Sequence, residues 1–291
     1  MIDVVEYTDP GCSWAWGTEP KLRRLRWQYG EGLRWRRVMG GLVGDMGRYI
    51  EGFDPLRAAG AFAQYWASVA ATTGMPHPVE LRWMYRSTEP ACLAVEAAAR
   101  QGDAVAARVL RRLRESTFVL GEPPDTLDRI LVSVRGVPDL DVARFERDWA
   151  GDAAWSAFRA GWAETRNPDP SVLALEEHGD GAGRAKYSEG HWRYVFPTLV
   201  VSGAAGRTIV PGWKPYESYV EAIERASPGA TGAPRPRPTP ADAFATWPAL
   251  APRELEVLCG PGARPPPDAV LRPVGSDGYW LTAAEAEARG L

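Results

Sequence analysis

The sequence has few cysteines. Only three occur among its 291 residues, Cys12, Cys92 and Cys259. An odd and sparse set of this kind excludes a disulfide framework, so the chemistry of each thiol must be considered separately. Neither Cys92 nor Cys259 lies at metal-ligand spacing from a histidine, and we expect no bound metal.

Long apolar runs, a signal sequence and an excess of positive charge are also absent. No stretch approaches the roughly 20 apolar residues that cross a bilayer, and the N-terminus has neither the basic nor the apolar region of a secretory signal. We therefore expect a cytoplasmic protein that has no membrane partner. The net charge of -3 and the pI of about 5.8 likewise predict no nucleic-acid partner.

What the sequence does contain is the pattern of an α/β protein. A strand at residues 2–7, a helix from about Cys12 and a second strand at residues 33–39 predict a β-α-β opening. Ala- and Arg-rich amphipathic stretches between residues 55 and 165 predict several helices, and two strands and a helix follow between residues 194 and 226. This order is that of a thioredoxin-like fold with an all-helical insertion, to which a small C-terminal unit is appended.

The pattern predicts five segments along the chain. These are a thioredoxin-like first half at 1–54, a helical insertion at 55–190, a thioredoxin-like second half at 191–227, a Pro-rich linker at 228–240 and the C-terminal unit at 241–291. The C-terminal unit reads as a helix followed by a hairpin, which suggests a reduced winged helix. Its four basic and seven acidic residues have the wrong sign for binding phosphates, which favours a packing or dimerisation role.

Cys12 is the most plausible nucleophile. It lies in the segment Asp-Pro-Gly-Cys-Ser-Trp-Ala-Trp-Gly, residues 9–17, where a strand ends and a helix begins. Free backbone N–H groups and the positive end of the helix dipole favour an anion there, and this geometry can lower a cysteine pKa from about 8.5 towards neutrality. The alternative is that Cys12 is a small buried hydrophobe at a helix start.

The segment Asp-Pro-x-Cys-Ser-Trp-x-Trp-Gly resembles the active-site segment of the DsbA family in the thioredoxin superfamily, in particular its FrnE-like branch of cytoplasmic oxidoreductases. The resemblance covers about residues 1–226. Phe196-Pro197-Thr198 is similar to the family's loop in which a cis-proline faces the active-site sulfur. The resemblance implies thiol oxidoreductase or thiol transferase activity with Cys12 as nucleophile. The residues that it places around a bound substrate or thiol are Ser13, Trp14, Ala15, Phe196, Pro197 and Thr198.

Ala15 departs from the family pattern. FrnE-like proteins usually carry a second cysteine there, which resolves a mixed disulfide from within the chain. Three explanations are open: a natural one-cysteine enzyme that uses an external thiol, a degenerate non-catalytic scaffold, or an engineered Cys-to-Ala replacement that traps the intermediate. The external thiol would be glutathione or mycothiol, and the substrate a small-molecule or protein disulfide. The Ala/Arg/Gly/Pro-rich composition is typical of high-GC genomes, which is a circumstantial argument for mycothiol.

Other functions and residues also have to be considered. Two similar groups of relatives, the kappa-class glutathione transferases and the hydroxychromene-carboxylate isomerases, have Ser at the position of Cys12. Isomerase or transferase activity is therefore also a candidate for this chain. A further alternative is a binding or scaffold protein that forms a homodimer through the C-terminal unit. Trp14 is expected to form an apolar wall of the site. His191, just before the third strand, is the best acid–base candidate. Cys92 could resolve Cys12 only if the helical insertion packs over the site.

Overall fold

The strands and helices follow the predicted order, in a computed structural model that describes residues 1–229, 234–275 and 277–291. The strands are β1 (Ile2–Thr8), β2 (Leu33–Met39), β3 (Lys186–Ser188), β4 (His191–Arg193), β5 (Thr198–Gly203), β6 (Gly206–Pro211), β7 (Ala249–Leu250), β8 (Val270–Val274) and β9 (Asp277–Leu281). The helices are α1 (Ser13–Tyr29), α2 (Pro55–Thr73), α3 (Glu89–Ala99), α4 (Asp103–Phe118), α5 (Leu127–Ser133), α6 (Val142–Trp149), α7 (Asp152–Thr165), α8 (Pro170–Leu173), α9 (Tyr216–Ala226), α10 (Pro240–Thr246), α11 (Pro252–Cys259) and α12 (Ala283–Ala288).

A four-stranded sheet in the order β2-β1-β5-β6 forms the centre of the molecule. Strand β1 pairs in parallel with β2 and antiparallel with β5, which places Val4 opposite both Trp35 and Val201. Val4 and Val201 are buried, as expected for a Val- and Ile-rich strand with neighbours on both sides. The sheet confirms the predicted α/β class with a thioredoxin-like β-α-β and β-β-α arrangement. It also determines the position of Cys12, which comes between the end of β1 and the first turn of α1.

Helices α2 to α8 separate the two halves of the sheet in the sequence. Helix α3 is at the centre of this group, and its Ala-rich stretch Ala91–Ala98 is almost entirely buried because small side chains allow close packing against α4, α6 and α7. A hairpin of β3 and β4 follows the helices and was not predicted. It spans residues 186–193, so it crosses the boundary expected at residue 190 between the insertion and the second half.

The C-terminal unit packs against α1. Its three strands pair in the order β7-β9-β8, and α11 lies along α1. Residues 230–233 of the predicted Pro-rich linker lie outside the described residues. The part of that segment that follows them contacts α1: the Arg235 backbone N–H donates to the Gln28 carbonyl at 2.9 Å, and Trp27 Nε1 donates to the Pro236 carbonyl at 2.7 Å. This contact, together with α11, gives the C-terminal unit a packing role in the chain.

A buried group of ion pairs holds the C-terminal unit to the rest of the molecule. Glu254 on α11 has 0% exposure. Its carboxylate lies 3.2 Å from Arg23 Nε on α1 and accepts two hydrogen bonds from Arg111 on α4, at 2.9 and 2.7 Å. Because a buried charge is costly unless it is paired, these contacts couple the folding of three elements that are far apart in the sequence.

The same ion pairs predict acid sensitivity. Burial alone raises the pKa of Glu115, but the guanidinium groups of Arg289 and Arg111 outweigh it and bring the pKa to about 2, and Glu19 is lowered to about 2 in the same way. Both values lie below the ordinary 4.5, so the stabilisation is complete above about pH 4.5 and is lost as the pH falls towards 2. The contribution of each carboxylate to the free energy of unfolding should fall by about 2 kcal/mol between pH 7 and pH 3. Urea unfolding at the two pH values measures this change.

Glu115→Gln provides the test of this prediction. The variant should be less stable than the wild type at pH 7 and should show a smaller loss between pH 7 and pH 3. Glu256→Gln is the control, because Glu256 is an exposed partner of Arg253. An unchanged pH dependence in Glu115→Gln would show that Glu115 does not contribute to acid unfolding.

Candidate functional site

The site is built around Cys12, which is the N-cap residue of α1 and directly follows the turn after β1. Its side chain has 5% exposure, and its thiol donates a hydrogen bond to the Phe196 carbonyl at 3.2 Å. The peptide bond from Phe196 to Pro197 is cis. Two segments that are 184 residues apart in the sequence therefore meet at the sulfur atom.

The pKa of the Cys12 thiol is raised above its ordinary value of 9.0. Burial is the main cause, and the nearby Asp9 carboxylate adds to it. The backbone N–H groups of Ala15 and Trp14 oppose these effects, as expected at a helix N-terminus, but they do not outweigh them. The sequence-based prediction of a lowered pKa is therefore wrong, because the helix start was evident in the sequence and the burial of the sulfur was not.

Asp9 anchors the loop that carries Cys12. It is fully buried and accepts hydrogen bonds from Gly11 N at 2.7 Å, Leu42 N at 2.6 Å, Thr88 Oγ1 at 2.9 Å and Cys92 Sγ at 3.2 Å. These four donors satisfy the carboxylate, although burial still raises its pKa. The sequence showed Asp9 only as part of a motif. The bond to Gly11 N is the local turn signal that an Asp-Pro-Gly segment can reveal.

The other two cysteines do not line the Cys12 cavity. Cys92 on α3 has 0% exposure, and its thiol donates to Asp9. Burial raises the pKa of Cys92 well above the ordinary value, with the Asp9 charge as a further cause. Cys259 at the end of α11 packs in a cluster with Trp27 and Phe244. The helical insertion does pack over the Cys12 loop, but it brings Cys92 to the Asp9 carboxylate.

A cavity of about 440 Å³ lies in front of Cys12. Ser13, Trp14 and Phe196 line it together with Cys12, so the structure brings these four predicted site residues together. Trp14 Nε1 donates to Tyr65 Oη of α2 at 3.1 Å, which holds the indole ring at the wall of the cavity. The walls are largely apolar and include several aromatic side chains, and this favours a ligand with an apolar portion.

The remaining predicted residues lie at other positions. Ala15 is a buried residue of the first turn of α1, and Thr198 is buried with its hydroxyl donating to the Val195 carbonyl at 2.7 Å. The Pro197 carbonyl accepts a hydrogen bond from Gly212 N at 2.9 Å, so Pro197 and Thr198 shape the loop without lining the cavity. His191 is exposed on β4 and packs edge-on against Trp162, with ring centroids 5.3 Å apart, outside the cavity.

Arg193 is a cavity residue that the sequence-based prediction missed. It ends β4, has 6% exposure and lines the same cavity as Cys12. Its Nη1 donates to the Tyr194 carbonyl at 2.9 Å and its Nε to Ser188 Oγ at 3.2 Å. No pattern in the sequence indicates this position, because it depends on the short hairpin of β3 and β4.

Metal ligands and membrane spans were also sought in the described ranges. Across residues 1–229, 234–275 and 277–291, no three His, Cys, Asp or Glu side chains come together as a metal site. In those same ranges, no helix has both the length and the apolarity needed to span a bilayer.

Comparisons with known sequences give one family match and several named relatives. The model of the family described as thioredoxin matches residues 6–167. The ClpXP adapter protein SpxH of Halalkalibacterium halodurans is 28% identical over 212 residues, which cover 70% of this chain and 68% of that protein. The SpxH protein of Shouchella clausii is 25% identical over 186 residues, covering 62% of this chain and 60% of the relative.

Solved structures with a similar fold include the cytosolic disulfide reductase DsbM of Pseudomonas aeruginosa. It is 16% identical, with a TM-score of 0.53, and the match covers 77% of this chain and 98% of DsbM. A second structure of DsbM, with GSH, is 18% identical with a TM-score of 0.52 and covers 77% and 99% of the two chains. At these identities the likeness shows a shared fold.

Proposed function

This chain belongs to the thioredoxin family, and we propose that it catalyses thiol–disulfide exchange through Cys12, with an external small thiol in place of a resolving cysteine. The observation that carries the proposal is the position of the Cys12 sulfur: it sits at the N-terminus of α1, opposite the Phe196 carbonyl, in a cavity large enough for a small ligand. Ala15 supplies no second thiol on α1. We also propose that the protein acts in the cytoplasm, where small thiols are abundant.

The reaction consists of two exchange steps. In the first, the Cys12 thiolate attacks a disulfide R–S–S–R, so that a Cys12–S–S–R bond forms and one R–S⁻ leaves and takes up a proton. In the second, the thiolate of an external thiol attacks the R sulfur of this mixed disulfide, and Cys12 leaves as the thiolate. One disulfide and one thiol are consumed and one disulfide and one thiol are formed, so no separate oxidant or reductant is required.

The raised pKa of Cys12 determines how the exchange should depend on pH. Only the thiolate attacks, so alkylation by iodoacetamide should increase about tenfold per pH unit up to the pKa, without a plateau below pH 9. The measurement uses the Cys259→Ser variant, which leaves Cys12 and the fully buried Cys92, and the background is the same variant with Cys12→Ser added. A plateau reached by pH 7 would contradict this prediction and would instead indicate a thiolate stabilised by the helix start.

Intact mass spectrometry tests the proposed function directly. The reduced protein is incubated with oxidised glutathione or with hydroxyethyl disulfide, and the adduct is mapped to a single cysteine. We expect one adduct on Cys12 and its release by added thiol. If no thiol or disulfide forms an adduct on Cys12, the protein is not a thiol-exchange enzyme.

The names of the sequence relatives favour a second candidate function. Both SpxH proteins are named ClpXP adapters, and this suggests that the fold can serve in binding a protein partner. A raised pKa makes Cys12 a poor leaving group, so a mixed disulfide on Cys12 would be resolved slowly, which argues against rapid turnover. The alternative predicts a binding partner whose affinity is the same for Cys12→Ser and for the wild type, together with negligible exchange activity.

A further inference from the structure

The charge of Arg193 is buried without a countercharge close to it. Its guanidinium donates to two neutral oxygens, while Nη2 makes no hydrogen bond to any residue in the described ranges. No carboxylate in those ranges lies within 4.0 Å of it, and the groups whose negative charge attracts it are the Cys12 thiolate first, followed by Tyr49, Asp9 and Glu189. Because a buried charge is costly unless it is paired, Arg193 favours an anion in the cavity. When Cys12 is in a mixed disulfide it carries no charge, so the anion that pairs closely with Arg193 in that state has to come from the ligand.

The other buried arginines show the contrast. Arg23 pairs with Glu254, Arg112 with Glu285 and Arg114 with Glu19. Each of these guanidinium groups belongs to the packed interior, whereas Arg193 lines the cavity in front of Cys12. The one buried arginine in this comparison without a carboxylate partner is therefore the one that a ligand can reach.

A second cation lies directly opposite Arg193 on the hairpin. Lys186 of β3 is its antiparallel partner, and residues paired in this way project from the same face. Lys186 also lines the cavity and makes no ion pair within the described residues. Like charges at directly opposed positions destabilise a hairpin, and an anion bound between them would remove that cost. The exposed carboxylate of Asp180 lines the cavity too, but it pairs with neither cation.

We propose that Arg193 and Lys186 bind a carboxylate of the small thiol that exchanges with Cys12. This inference rests on the proposed function and specifies its substrate class: a thiol that carries a carboxylate. Guanidinium groups bind carboxylates through paired hydrogen bonds, and aromatic walls such as those formed by Trp14 and Phe196 accommodate the uncharged part of the ligand. Glutathione has two carboxylates and mycothiol has none, so the inference selects glutathione or a similar anionic thiol. The carboxylate itself is unchanged in the exchange.

The test compares an anionic thiol with a neutral one on the same mixed disulfide. The reduced protein is first treated with hydroxyethyl disulfide, which forms the mixed disulfide of Cys12 with 2-mercaptoethanol and releases one 2-mercaptoethanol. After the excess reagent is removed, resolution of this mixed disulfide is followed with 3-mercaptopropionate or with 2-mercaptoethanol. Arg193→Gln should lower the rate of resolution by 3-mercaptopropionate about tenfold. The rate of resolution by 2-mercaptoethanol should stay within about twofold of the wild-type rate. Arg193→Lys should restore part of the rate, and Arg207→Gln, which changes an exposed arginine outside the cavity, should affect neither thiol.

Lys186 keeps the proposal testable if the Arg193 variants do not fold. Lys186 is exposed, so the Lys186→Glu variant should fold. It should lower the rate of resolution by 3-mercaptopropionate and leave the rate with 2-mercaptoethanol unchanged. Wild-type protein should also exchange faster with glutathione than with mycothiol. If the variants lower the rates with both thiols equally, or lower neither rate, the carboxylate assignment is overturned. In that case exchange at Cys12 still supports the proposed function. Absence of exchange with every thiol overturns both.

Discussion

Replacing Cys12 with serine should reduce thiol–disulfide exchange to below about 1% of the wild-type rate, since a hydroxyl cannot form the mixed disulfide. The rate is measured with hydroxyethyl disulfide and glutathione, and the adduct on the protein is measured by intact mass. Cys12 contacts the cavity, the Phe196 carbonyl and the first N–H groups of α1, so the substitution removes the sulfur without removing a structural partner. We expect the far-UV circular dichroism of the variant to match that of the wild type.

The two remaining cysteines provide matched controls. Cys259→Ser changes a thiol in the C-terminal unit and should leave both the rate and the adduct unchanged. Cys92→Ser keeps a hydroxyl that can donate to Asp9, so it should retain most of the activity. If Cys92→Ser abolishes exchange while Cys12→Ser does not, the nucleophile has been assigned to the wrong residue.

Glu254→Ala should lower the free energy of unfolding by about 3–5 kcal/mol, because it leaves two buried guanidinium groups without their carboxylate. Arg23 and Arg111 both lose this partner, and the Ala251 backbone N–H at the start of α11 loses an acceptor at 2.8 Å. Urea unfolding at pH 7 measures the change. The C-terminal unit and the body should unfold together in the wild type, since the ion pairs join α11 to α1 and α4.

Glu256→Ala is the control on the same helix. Glu256 pairs with Arg253 at 2.7 Å, but both side chains are more than 40% exposed, so its loss should cost less than about 1 kcal/mol. A loss of similar size in the two variants would mean that the buried carboxylate contributes no more than a surface one. In that case, apolar packing of α11 on α1 would be the main attachment of the C-terminal unit.

The sequence predicted those parts of the site that depend on local signals. The apolar strand before Asp9 and the helix after Cys12 have distinct patterns, and Phe196-Pro197-Thr198 stands directly before a strand. These signals predicted Cys12 at the start of a helix and the loop that faces it, and the structure has both in those positions. The order of strands and helices then predicted the α/β class and the thioredoxin-like sheet, because each element has a periodicity that can be read over several residues.

The parts that were missed depend on contacts between distant residues. Arg193 reaches the cavity through a hairpin whose strands have three residues each, too short for a periodic signal. The role of Asp9 as a hydrogen-bond acceptor was missed for a similar reason, because two of its donors, Leu42 and Thr88, are far from it in the sequence. The pKa of Cys12 was predicted in the wrong direction because the helix start acts locally, whereas the burial that outweighs it comes from elements far away in the sequence.

The burial of Cys12 also determines how the protein should respond to peroxide. A sulfenic acid formed on Cys12 has no adjacent thiol to capture it, because position 15 is alanine and the Cys92 thiol donates to Asp9. Oxidation could then proceed to the irreversible sulfinic acid. Peroxide reacts with the thiolate, and a raised pKa keeps Cys12 largely protonated near neutral pH. The burial that is expected to slow exchange should therefore also slow the oxidation of Cys12 by peroxide. This matters because no second cysteine is placed to form a disulfide with a sulfenic acid on Cys12.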